Sequence, residues 1–277
     1  MRVLGPTMGA GLGERRTGYG LLAARCGLLS PVLAALALQC PMARADDAKL
    51  DLASGDYFIG ASVFLFERGV MAAFAPPQDG GPGADELDRG AIYFAVVNSE
   101  GESGSLALDT IHGWLIAWAG GDGNPPGFDA ARRTHLACLI VGADPKARAD
   151  LAEAVGLGEE ARLKCAGEYE ETAARWATLV DPYRRAPGRQ PPKNAGDLAL
   201  DYAPAVEQGN DLIAQAMQKN QLFDALTDEV NAALFLPRKT RALLTECRKP
   251  QSFYNPDRHE IVICYELLAG ILAAAGK

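Results

Sequence analysis

The stretch Tyr57 to Ala75, YFIGASVFLFERGVMAAFA, decides how the chain is read. It is apolar almost all the way round and long enough for about five helical turns. A helix that is apolar on every side belongs in an interior. Glu67 stands in its middle, beside Arg68. A buried carboxylate is costly unless it is paired, protonated or bound to a metal, so the role of Glu67 is the central question.

Outward from this stretch, 48% of the 277 residues are hydrophobic, ample for a substantial core. The net charge is −8 and no basic face is visible along a predicted element, which argues against nucleic acid as a partner. The first 45 residues read as an export signal. Arg2, Arg15, Arg16 and Arg25 precede an apolar run from Leu28 to Leu38, and Ala43-Arg44-Ala45 offers a small-x-small cleavage site. That run is too short for a permanent membrane anchor. Cleavage after Ala45 yields a periplasmic or secreted protein starting at Asp46. It removes five arginines and one glutamate, taking the net charge from −8 to −12. Four cysteines then remain: Cys138, Cys165, Cys247 and Cys264. An even number in an exported chain points to two disulfides. Three pairings exist, and the local ones, Cys138–Cys165 and Cys247–Cys264, are the expectation.

Along residues 46–181 the pattern predicts helices. After the buried helix, Pro76-Pro77 ends it and QDGGPG turns the chain. A second helix starts near Ala84 with Asp85 and Glu86 in its first turn, where the helix dipole favours acids. A third covers Ser103 to Ala119, and a fourth Phe128 to Val141 with Cys138. Asp144-Pro145 opens a short fifth, and a long charged helix spans Glu159 to Leu179. Its run Glu168 to Glu171 reads as a solvated face. Residues 182–195, PYRRAPGRQPPKNA, read as a linker. In 196–277, Asp197 to Tyr202 alternates like a strand, Val206 to Leu234 is helical in two pieces, and a helix from Leu267 to Ala275 closes the chain. Thr240 to Cys247 and Glu260 to Tyr265 read as a hairpin with a cysteine in each strand. The expected class is α+β: a mainly helical part, a small antiparallel sheet and a C-terminal helix.

Several landmarks occur in one order: Phe66-Glu67-Arg68-Gly69-Val70, Asp85-Glu86, CLIVGADP at 138–145, RLKCAGEYEE at 162–171 with Trp176, LFLP at 234–237, TEC at 245–247 and FYNPDRHEIVICYELL at 253–268. In this the chain resembles a bacterial family of unknown function catalogued as putative zinc metallopeptidases, over about residues 55 to 270. The family's first helix carries His-Glu-x-x-His. Histidines four apart share one helical face and can bind one zinc, while the glutamate serves as general base to the metal-bound water. An acidic cluster on the next helix implies the third ligand. Here Phe66 and Val70 stand at the histidine positions, Glu67 keeps the general-base position, and Asp85 and Glu86 match the acidic cluster. Pro126 replaces a further histidine, although Asp129 and Arg132 match their neighbours.

Two carboxylates without imidazoles bind zinc weakly. The resemblance therefore implies a pseudo-metallopeptidase with no cofactor, Glu67 being vestigial and ion-paired with Arg89 or Arg68. Breaking such a pair by Glu67→Gln is expected to cost about 3 kcal/mol or more. Loss of catalysis leaves a binding or modulatory role toward a peptide or protein partner. The alternatives are a divergent, zinc-dependent peptide hydrolase and a structural envelope component. His112, His135 and His259 are isolated in sequence, and Trp114, Trp118 and Trp176 read as core.

Overall fold

The computed structural model describes residues 52–75, 83–99, 106–121 and 123–275. The expected leader 1–45, the start of the lead-in after it, Pro76-Pro77 and most of the turn that follows lie outside the described residues. Those described fall in one unit, Arg44–Lys277. Six helices come first: α1 Leu52–Ala72, α2 Ala84–Ser99, α3 Leu106–Gly120, α4 Ala130–Ala143, α5 Ala149–Ala154 and α6 Glu159–Val180. Then follow β1 Leu198–Tyr202, α7 Gln208–Asn220, α8 Leu222–Ala233, β2 Thr240–Thr245, β3 Ser252–Asn255, β4 Glu260–Cys264 and α9 Tyr265–Ala275.

Helix α1 is the central post. It packs on α2, α3, α9, α8 and the β3–β4 side of the sheet. Contact all round explains why its sequence lacks a polar face. Gly69 lies directly against the Ile261 side chain of β4, so a Cβ at this position would overlap it. Trp114 and Trp118 of α3 stack with centroids 5.4 Å apart, and both meet the Phe128 ring edge-on. All three tryptophans are fully buried, as their sequence context suggested.

Helix α4 begins where the Asp129 side chain accepts the Arg132 N–H at 2.8 Å. Gly142 brings it onto the α6 backbone at Cys165. The disulfide Cys138–Cys165 joins the same two helices, and Cys247–Cys264 closes the other local pair.

The class α+β holds, but the sheet is mixed, not antiparallel. Its order is β1-β2-β4-β3. Strands β1 and β2, and β2 and β4, run parallel, and β3 pairs antiparallel with β4. The two cysteine-bearing segments are thus not the arms of one hairpin. The connection between them contains β3, which forms the hairpin with β4 and leaves β4 parallel to β2. Parallel pairing sets Thr245 opposite Cys264 and brings Cys247 within reach of its partner sulfur. Strand β4 is buried at all five positions, which accounts for the apolar run Ile261 to Cys264 after Glu260.

Residues 182–196 are held at both ends by one extended stretch. Arg185 N–H donates to Ala233 O and Phe235 N–H to Tyr183 O, while Gly196 and Leu236 exchange both backbone bonds.

Candidate functional site

Glu67 is 2% exposed, and its Oε2 has no hydrogen-bond partner. Phe66 and Val70 beside it are fully buried, and the Phe66 ring lies 5.7 Å from that of Phe223 on α8. Burial, and then the repulsion of Glu229 on the same helix α8, push the Glu67 carboxyl well above its ordinary range.

The expected Arg–Glu pair is not formed. Successive helical residues point about 100° apart, and Arg68 turns to α2, donating to Asp88 Oδ1 at 2.8 Å. Arg89 faces α6: it donates to Asp85 at 2.9 Å, to Thr172 at 3.1 Å and to Glu168. Among the described residues no cation lies within ion-pair distance of Glu67.

The acidic cluster expected to complete a metal site also points elsewhere. Asp85 meets Arg89 and, at 2.9 Å, His135 Nε2, while Glu86 meets Arg175 at 3.0 Å. Burial raises the Asp85 carboxyl, but the Arg89 hydrogen bond and the charges of His135 and Arg89 outweigh it and hold the carboxyl below its usual range. Zinc does not fit this arrangement. Positions 66 and 70 offer a benzyl and an isopropyl group, and the expected acidic ligands, Asp85 and Glu86, are committed to Arg89, His135 and Arg175. One trio of ligand-type side chains does converge among the described residues, Cys247, Cys264 and Glu266. Its sulfurs are bonded to each other and so supply no thiolate. Glu266 accepts the backbone N–H groups of Cys247 and Arg248.

What the fold assembles instead is a charged junction of α2, α4 and α6. Asp88, 1% exposed, accepts from Arg68 and also, bidentately, from Arg132 at 2.6 and 2.7 Å. Arg132 lies 3.8 Å over the Phe128 ring and donates to Gly127 O. His135 sits between acids of two helices, its Nδ1 being 3.3 Å from Glu168 Oε1. These are ion-pair contacts by distance, and Nε2 lacks an aligned hydrogen bond. The disulfide sulfur of Cys138 is 3.6 Å from Glu168 Oε2. Glu168 is therefore part of the junction and not of a merely solvated face. Beside it opens a cleft of about 470 Å³ walled by Asp85, Glu86, Arg89, Glu168 and Arg175, with Trp176 behind them.

Sequence reasoning passed over Asp88, Glu168, His135 and Glu229 as site residues. Their meetings join positions far apart in the chain, so no local spacing signals them. The available hint was a third acid, Asp88, one turn after Asp85 and ahead of an apolar run.

The tail motif has a structural explanation. Glu246 accepts from Val206 N–H, Glu207 N–H and Asn210 Nδ2 at 2.8–3.0 Å, tying the start of α7 to the end of β2. The Asn210 bond, then the backbone bonds, hold its carboxyl below the usual range.

Residues 202–277, from the last residue of β1 through α9, match the family described as "Putative metallopeptidase". No curated protein and no solved structure matches the chain. The match covers the C-terminal part alone and leaves α1 to α6 outside it.

Proposed function

We propose that this chain is an exported metallopeptidase-like protein that has given up hydrolysis and acts by binding. The observation that carries this reading is the state of the first helix: Phe66 and Val70 are fully buried, and Glu67, 2% exposed, has no cation within ion-pair distance among the described residues. A general base of this kind acts on a water polarised by a metal, and neither position 66 nor position 70 offers a ligand to hold one. The family match over 202–277 supports the ancestry. The two disulfides support an oxidising compartment, and among the described residues no helix is long and apolar enough to cross a membrane.

The test is elemental analysis of the purified protein, combined with a peptide-hydrolysis assay before and after Glu67→Ala. The expected result is far less than one zinc per chain and no hydrolysis that depends on Glu67. Stoichiometric zinc together with cleavage abolished by Glu67→Ala would establish the divergent peptide hydrolase instead. N-terminal sequencing of the exported form is expected to begin at Asp46.

A further inference from the structure

On this acidic protein one segment has the opposite sign. Residues 182–196 contain Arg184, Arg185, Arg189 and Lys193 and no acid, on a chain of net charge −8. The segment is not loose. Its two ends are bonded to the stretch around Leu234 to Leu236, a turn at Gly188 (φ +76°) returns Arg189 N–H to Ala186 O, and Ala195 N–H donates to Pro192 O. Between this loop and the end of α8 lies a groove of about 360 Å³, lined by Arg185, Ala186, Pro187, Arg189, Ala232 and Phe235.

The cations here divide into two kinds. Arg184 and Arg185 are internally satisfied. Arg184 pairs with Asp181; Arg185 pairs with Asp197, donates to Leu234 O and lies 3.7 Å over the Phe235 ring. They build the wall. Arg189 gives one N–H to Asp181 O, and no carboxylate lies within ion-pair distance of it among the described residues. Lys193 is likewise unpaired and exposed, as are Arg238 and Lys239, and Lys239 touches Gly196 at the far end of the loop. The groove thus offers an apolar floor of Phe235, Ala232 and Pro187 with Arg189 at its wall, and Lys193 follows four residues on in the same basic segment.

We infer that this groove is a docking site for an extended acidic peptide segment, carboxylates meeting Arg189 and Lys193 and an apolar side chain resting on Phe235. The rest of the chain selects for a narrow ligand. A membrane or nucleic acid presents negative charge over a wide area and meets repulsion from the acidic surroundings, whereas a single peptide strand can touch the strip alone. Pro187, Pro191 and Pro192 have no N–H to offer, so recognition rests on side-chain charge and the apolar floor. This goes beyond the loss of hydrolysis and does not depend on it, since zinc content and groove binding are measured separately.

The experiment is fluorescence anisotropy of the full mature protein with a labelled peptide of alternating Glu and Leu, and with its Gln-for-Glu counterpart. The Glu peptide is expected to bind and the Gln peptide not, with affinity falling about tenfold or more between roughly 0.03 and 0.3 M salt. Arg189→Glu/Lys193→Glu is expected to lose at least about tenfold in affinity, while Lys146→Glu/Lys219→Glu, an equal change of charge elsewhere, retains binding. All four positions are exposed, and thermal melts confirm that both variants fold. Equal binding of the Gln peptide, or equal loss in the two variants, overturns the inference. Binding of phosphatidylglycerol vesicles with no binding of the Glu peptide overturns it in favour of a membrane surface.

Discussion

Two carboxylates on neighbouring helices are almost equally hidden, Glu67 on α1 at 2% exposure and Asp88 on α2 at 1%, yet they live in opposite surroundings. Asp88 is gripped by Arg68 and Arg132. Among the described residues Glu67 has no cation within ion-pair distance, and it has an unpartnered oxygen and a second acid nearby. Arg68 is adjacent in sequence to Glu67 but serves Asp88, because its side chain leaves the helix toward α2. Burial alone therefore says little about an acid's role. What decides is whether a countercharge projects into the same space, and α1 supplies its only arginine to the other side.

The comparison breaks most visibly at Asp88. Asp88→Asn keeps the shape but strands two partly buried guanidinium groups, and a loss of about 3 kcal/mol or more is expected in urea unfolding at neutral pH. A loss under about 1 kcal/mol would show that water replaces the carboxylate and that the two sites are alike. The paired side also depends on α4 staying docked, since Arg132 and Cys138 share that helix. Replacing Cys138 and Cys165 with alanine opens a link across 27 residues of sequence and is expected to cost about 3 kcal/mol. Addition of reductant to the native protein opens Cys247–Cys264 as well and is expected to lower stability further.

On the unpaired side, Gly69→Ala drives a methyl group into Ile261 of β4. Overpacking of this kind costs about 1–3 kcal/mol, read as a lowered melting temperature. An unchanged melting temperature would mean that α1 stands farther from the sheet and that Glu67 is less tightly enclosed.

The smallest effect carries the most information through its sign. A carboxyl with a raised folded-state pKa keeps its proton after the unfolded chain has released one, above the ordinary value of 4.5. Stability then falls as pH rises from there toward the folded-state value, by at most about 1.4 kcal/mol per pH unit. Glu67→Gln has no such proton. The variant is expected to be within about 1 kcal/mol of the natural protein near pH 5 and the more stable of the two near pH 8. This reverses the loss that an Arg–Glu pair implied. A variant that is less stable at pH 8 would show that Glu67 has a cation partner after all, and the contrast with Asp88 would vanish.

Much of the fold was legible along the chain. The apolar run around Glu67 announced a buried helix, the proline and glycine clusters separated the helices, and the nearest-neighbour cysteine pairs are the pairs that form. These features rest on local spacing or on short loops. Strand direction was not legible. Both cysteine-bearing strands were recognised, but Ser252 to Asn255 in their connection also pairs, and pairing depends on which edge of β4 is free. The candidate site was legible only in its losses: Phe66 and Val70 could be read as apolar, but not which helix Glu67 would face.

By itself, then, the order of residues determined where most helices lie, that α1 is interior and that positions 66 and 70 carry no metal ligand, because each follows from side-chain chemistry or from periodicity within one element; it favoured the local cysteine pairs without deciding them. Only the tertiary structure decided that Arg68 belongs to Asp88, that Glu67 is left alone near Glu229, that His135 and Glu168 meet across helices and that a proline-rich segment closes over Phe235. Those outcomes depend on the angles at which elements pack, and charges brought together from 20 to 80 residues apart leave no trace in any local pattern.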